Sequence, residues 1–154
     1  MNLRTYQSGD DIALATLFSD TIRASNAADY SSQQVEVWAN DTPHFEAWLD
    51  RVDDRIIFIA EQDSEVAGFA SFDPSGHIDH LYVHHRFQRQ GVASALLQRI
   101  EKEAKTCGIG RLFTEASVTA RPFFEAMGFE VIAPQNVLLK GISFLNYRME
   151  KLLD

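Results

Sequence analysis

The stretch from His77 to Thr106 constrains the fold most, because its hydrophobic pattern changes period partway along. Ile78, Leu81, Tyr82 and Val83 are the apolar, aromatic and β-branched residues of a strand. The chain then turns through Arg86, Phe87, Gln88, Arg89 and Gln90 to Gly91. Beyond the turn Ala93, Leu96, Leu97, Ile100, Ala104 and Cys107 recur at helical spacing. That spacing predicts one core-packed face of a helix that starts near Gln90 and stops at Gly108.

A helix starting there leaves its first backbone N–H groups without intrahelical partners, and its macrodipole places roughly half a positive charge at the same end. Such an end suits an anion. Gly91 and Ala93 are small enough for a phosphate to approach the backbone closely, and Arg86 and Arg89 add positive charge beside the turn.

The run Gln88-Arg-Gln-Gly91-Val-Ala93 fits the pattern Q/R-x-x-G-x-G/A, Leu81-Tyr-Val83 ends the strand before it, and Ala120-Arg-Pro-Phe-Phe-Glu-Ala-Met-Gly-Phe129 follows. On these residues, and over nearly its whole length, the chain resembles the GNAT superfamily of N-acetyltransferases. The resemblance implies an α/β fold: a mixed, mostly antiparallel sheet with a splayed parallel central strand pair, flanked by helices, in one domain over residues 1–154. It implies acetyl-CoA as co-substrate, with the pyrophosphate wrapped by Gln88, Arg89, Gln90, Gly91, Val92, Ala93 and Ser94. The pantetheine arm would bond the unpaired backbone groups of Leu81, Tyr82 and Val83 like an added strand. Ser117 stands where the family often has an Asn that contacts the arm, and its hydroxyl equally suits a helix N-cap. Phe124 stands in the cofactor site where many members carry the Tyr that protonates the departing thiolate. Phe124 has no proton to give, although a thiol with a pKa of roughly 8.5 leaves tolerably unaided. Tyr147 and Tyr82 are the phenols that can substitute, and each also reads as a core or cleft-lining aromatic.

The implied reaction is direct transfer of an acetyl group to a primary amine in a ternary complex. An alkylamine has a pKa of roughly 10.4, so a group must remove its proton before attack. Asp79 is the candidate base, and strand alternation puts His77 on its face. The runner-up reading is a non-catalytic module that binds an acyl-CoA and signals to a protein partner, having lost the acid at Phe124. No metal site is expected: a strand turns His80 and His84 away from His77 and Asp79.

Charge narrows the partners. The net charge is -8, and it is uneven: the first 76 residues carry 14 acidic and 4 basic side chains, the remainder 8 and 10. This argues against nucleic acid, and the acidic first half suits cationic acceptors. The expected acceptor is a small-molecule or peptide amine, with a homodimer left open. No apolar run approaches the ~20 residues that span a bilayer, and Arg4, Asp10 and Asp11 interrupt any leader, so a cytoplasmic protein is expected. The single cysteine, Cys107, rules out an intrachain disulfide and reads as a packing residue.

The remaining segments are read from their own punctuation. Asn2 to Tyr6 reads as a strand, followed by a helix capped by Ser8 or Asp10 with Leu14, Leu17, Phe18 and Ile22 on one face. Ser31 and Gln34 have capping-box spacing before a short helix. Pro43 then opens another, with Phe45, Trp48, Leu49 and Val52 on one face. Trp38, Trp48, Phe45 and Phe58 read as core, and Asp29 and Tyr30 sit in a loop that lines the acceptor side in the family. Residues 55–60 and 66–72 form a hairpin, and residues 110–114 a strand parallel to the central one. A short helix capped by Ser117 or Thr119 and a closing strand pair, residues 129–132 and 137–140 with Gly141 before residues 142–149, complete the chain.

Overall fold

The computed structural model describes residues 1–50 and 54–154, so Val52 of the predicted third helix lies outside the described residues. In chain order the elements are β1 (Asn2–Thr5), α1 (Asp11–Ala24), a 3-10 turn (Asn26–Ala28), α2 (Ser32–Ala39) and α3 (Thr42–Asp50). Then come β2 (Ile56–Gln62), β3 (Glu65–Phe72), β4 (Ile78–Val83), a second 3-10 turn (His85–Phe87), α4 (Val92–Thr106) and β5 (Arg111–Ser117). The chain closes with α5 (Arg121–Ala126), β6 (Glu130–Leu139) and β7 (Ile142–Leu152).

Two antiparallel sheets, ordered β1-β2-β3-β4 and β5-β7-β6, meet where β4 and β5 run side by side in parallel. This is the splayed arrangement expected from the sequence. The central sheet is buried on both faces, so β2 and β3 are apolar almost throughout. Phe58, Ala60, Ala70 and Phe72 face α4, while Ile57, Ile59 and Phe69 face α1 to α3. On α4, Leu96, Leu97, Ile100 and Ala104 are fully buried as the periodicity predicts.

The predicted capping box at Ser31 is present: its Oγ accepts the Gln34 N–H at 3.1 Å, and Gln34 Oε1 accepts the Ser31 N–H at 2.9 Å. Asp10 precedes α1, but its carboxylate takes the Gln7 N–H and both guanidinium nitrogens of Arg4 instead of capping the helix.

Several expectations are corrected. Helix α4 begins at Val92 and not near Gln90, because Arg89 (φ 60) and Gly91 (φ 83) hold the turn in the left-handed region. Strand β5 extends to Ser117, where its pairing with β7 ends. Strand β6 continues through Pro134 where a break was expected; β6 pairs only with β7, so the missing N–H at an edge is tolerated. Cys107 is exposed and does not pack, since α4 has already ended at Thr106. Helix α5 has no side-chain cap.

The parity of β4 also changes. Ser71 pairs His80 and Phe72 pairs Ile78, so Asp79 is the extra residue of a bulge. Ile78 therefore joins Val83 on the α4 face, and His80 turns into the α1–α3 core between Phe45, Trp48 and Phe69.

Candidate active site

The cleft lies where β4 and β5 part. At their N-terminal ends they are held by the parallel bridge His77–Phe113, by Phe113 N–H on the Gly76 carbonyl at 3.0 Å and by the Thr114 hydroxyl on the Ile78 carbonyl at 2.9 Å. Beyond that point each strand is committed on its far edge, β4 to β3 as far as Val83–Gly68 and β5 to β7 as far as Ser117–Asn146. The gap between them is a cleft of about 380 Å³ that runs to the start of α4.

Backbone direction decides what the gap presents. His84 N–H bonds the Ala67 carbonyl at 2.8 Å, and the Tyr82 carbonyl abuts Gly68, so Tyr82 and His84 turn their amides toward β3. By alternation Leu81 and Val83 turn theirs into the cleft. This corrects the expectation for Tyr82, whose backbone is engaged in the sheet. The Val83 carbonyl is also partly occupied, accepting from Gln88 Nε2 at 2.7 Å and from the Thr21 hydroxyl at 3.3 Å.

At the end of the cleft, Ala95 N–H bonds the Gly91 carbonyl at 3.0 Å, which leaves the Val92, Ala93 and Ser94 N–H groups without intrahelical acceptors. A Cβ on Gly91 would meet nothing within 4 Å, so the space above these amides is open. Gln88, Arg89, Gly91, Val92, Ala93 and Ser94 all line the cleft, and Arg89 carries no ion pair among the described residues. Two neighbours point elsewhere. Gln90 is held by Gln62 at 2.7 Å and does not line the cleft, while Arg86 pairs with Glu65 and lies over Phe87.

Phe124 is buried against Phe123 and Phe129 and contributes a ring edge with no proton donor. Ser117 Oγ accepts the Ala120 N–H at 3.0 Å, tightening the turn before α5. Tyr30 reaches across to this corner, its hydroxyl accepting the Val118 N–H at 2.8 Å, and Asp29 accepts from Thr119 at 2.8 Å. Ser25 and Asn26, just after α1, line the cleft, while Tyr30 lines an adjoining recess. Of the two phenols weighed as proton donors, Tyr82 is held far above its ordinary range by burial, and Tyr147 lies under the Arg121 guanidinium at 4.4 Å.

The titratable groups gather on the opposite side. Asp79 lines the cleft, with Oδ2 accepting from Trp48 Nε1 at 3.0 Å and lying 3.4 Å from Arg55 Nε. Arg55 Nε is buried and makes no well-aligned hydrogen bond, so its contact with Asp79 is ionic attraction alone. His77 stands between two carboxylates, Nδ1 3.9 Å from Asp79 Oδ1 and Nε2 2.8 Å from Glu115 Oε1. The bond to Glu115 raises its pKa against the opposing effect of burial. His80, beside Asp79, is pushed down to about 4 by burial in the aromatic core. Glu115 was missed in the sequence; the available signal was a lone carboxylate in β5, two residues before Ser117.

The chain is similar to known proteins over nearly its whole length. The sequence profile of the acetyltransferase (GNAT) domain matches residues 26–151. The chain is 32% identical over 149 residues to the uncharacterized N-acetyltransferase YafP of Escherichia coli (strain K12), covering 97% of this chain and 94% of that protein. The crystal structure of a GCN5-related N-acetyltransferase from Rhodopseudomonas palustris superposes with a TM-score of 0.92 at 33% identity, over 99% of this chain and 95% of the other. The fold alone is shared with the PaiA N-acetyltransferase of Thermoplasma acidophilum, solved in complex with coenzyme A: TM-score 0.75, 19% identity, 99% of both chains.

Proposed function

Because the chain belongs to the GNAT family of acetyltransferases, we propose that it transfers the acetyl group of acetyl-CoA to a primary amine, directly and within a ternary complex. The observation that carries this reading is the continuity of the parted β4/β5 edge with the open N-terminus of α4. A thioester with a diphosphate at the far end of an amide-bearing arm needs those two features in that order. Acetyl-CoA supplies the activated acyl group and a thiol that leaves.

The chain's own residues do the rest. The Val92, Ala93 and Ser94 amides hold the diphosphate, helped by the helix dipole and the uncommitted charge of Arg89. The Leu81 and Val83 backbone groups bond the arm as a β-strand would. Asp79 takes the proton from the incoming ammonium, directly or through water. Trp48 and Arg55 fix its Oδ2, and Oδ1 on the His77 side receives the proton. Phe124 excludes water from the thiol without protonating it.

The absence of a hydroxyl at Phe124 also supports a second reading, a module that binds an acyl-CoA and does not turn it over. Purified protein, acetyl-CoA and a panel of primary amines separate the two. The transferase reading expects release of free thiol with at least one amine, and a rate in Asp79→Asn reduced about 100-fold most strongly at pH values where the amine is protonated. Thiol no faster than background hydrolysis with every amine, alongside tight binding of acetyl-CoA, would establish the module instead. An Asp79→Asn pH profile matching the wild type would remove Asp79 from proton transfer.

A further inference from the structure

A second recess of about 180 Å³ adjoins the cleft, and Trp38, Glu115 and Ser117 line both. Its wall is a corner of three aromatic rings. Tyr30 and Trp38 meet edge to face at 5.2 Å, Trp38 and Phe144 at 5.9 Å, and Tyr30 and Phe144 are tilted at 6.1 Å. Two oxygen acceptors complete it. Glu115 gives one carboxylate oxygen to His77, and its other oxygen has no hydrogen-bond partner among the described residues. Among the described residues Asn146 Oδ1 is buried with no hydrogen-bond partner, an arrangement that a ligand donor would relieve. No Lys or Arg side chain lines this recess among the described residues. Asp79 and Glu115 flank His77 nearby, and Arg148, opposite Glu115 in the β5–β7 register, makes no ion pair with it among the described residues.

Ring faces, a carboxylate and an unpaired carbonyl oxygen share one ligand preference, an ammonium group carrying N–H donors. A ligand without an N–H or O–H donor would leave Asn146 Oδ1 unpaired, and one without positive charge would gain little from Glu115. Leu81 and Val83 line the cleft and not this recess.

We propose that this recess anchors the acceptor and selects an amine carrying a second positive charge, held by Glu115, Asn146 Oδ1 and the Tyr30–Trp38–Phe144 corner while the first amine meets the thioester. The inference rests on the acetyl transfer proposed above, and its test does not depend on turnover.

Calorimetric titration of 1,5-diaminopentane and of n-pentylamine into the protein saturated with coenzyme A provides that test. The diamine is expected to bind about tenfold tighter than the monoamine, the scale of one desolvated cation–π contact plus one ion pair. In Glu115→Gln the advantage falls to within about threefold, and in Asn146→Asp, which adds a charge at the orphaned oxygen, it grows. Equal affinities, no detectable diamine binding, or an advantage unchanged in both variants would overturn the assignment. Discriminating binding without thiol release would sink the transferase reading and leave the recess standing. Transfer to both amines with equal KM would do the reverse.

Discussion

At its N-terminal end the β4/β5 pair is stitched by a backbone bridge and by a buried threonine hydroxyl, whereas at Leu81, Val83 and Ser117 the same two strands face each other across a cleft. Composition does not separate the two ends, since both are lined by apolar and hydroxyl residues. Commitment of the far edges does. Strand β4 follows β3, strand β5 follows β7, and the two sheets twist apart from a shared corner. The binding edge is therefore a consequence of how each strand is paired elsewhere.

That contrast can be broken most severely at the open end. Gly91→Trp fills the space over the α4 amides, and coenzyme A affinity should fall by more than about 100-fold in a calorimetric titration. Folding should suffer by only about 1 kcal/mol, the cost of a side chain at positive φ on an exposed cap. Retained affinity would place the diphosphate elsewhere.

A smaller effect sharpens the comparison from the closed side, where His80 packs among Phe45, Trp48 and Phe69. Burial lowers the His80 pKa to about 4 from an ordinary value of 6.5, so the unfolded chain takes up a proton that the native state refuses. Stability is unaffected above the unfolded pKa and falls as pH drops below it, by about 2 kcal/mol at pH 5 for this group. Urea unfolding of wild type and His80→Phe at pH 5 and pH 8 checks this. The pH-dependent loss should shrink by that amount in the variant, and an identical loss in both would show that His80 is protonated when folded.

The proposed cofactor half of the site could be read from the sequence because it is contiguous. The turn from Gln88 to Ser94 folds against its own helix, and only Gln90 departs, drawn outward by Gln62 from the β2–β3 turn. The proposed acceptor half was legible only at Tyr30, through the family resemblance. Tyr30, Trp38, Glu115, Phe144 and Asn146 come from four segments far apart in the chain, and no spacing rule links them. The Asp79 bulge escaped for a related reason: alternation is a local rule, and the extra residue is forced by pairing with β3. Pro134 misled in the opposite direction, reading as a break in a strand whose edge position tolerates it.

Hydrogen exchange of the β4 amides with and without acetyl-CoA tests the central claim most directly. The account predicts that the Leu81 and Val83 N–H groups become protected when the cofactor arm binds, while Tyr82, already bonded within the sheet to β3, changes little. Protection confined to Tyr82, or Leu81 and Val83 amides unaffected at saturating acetyl-CoA, would contradict it.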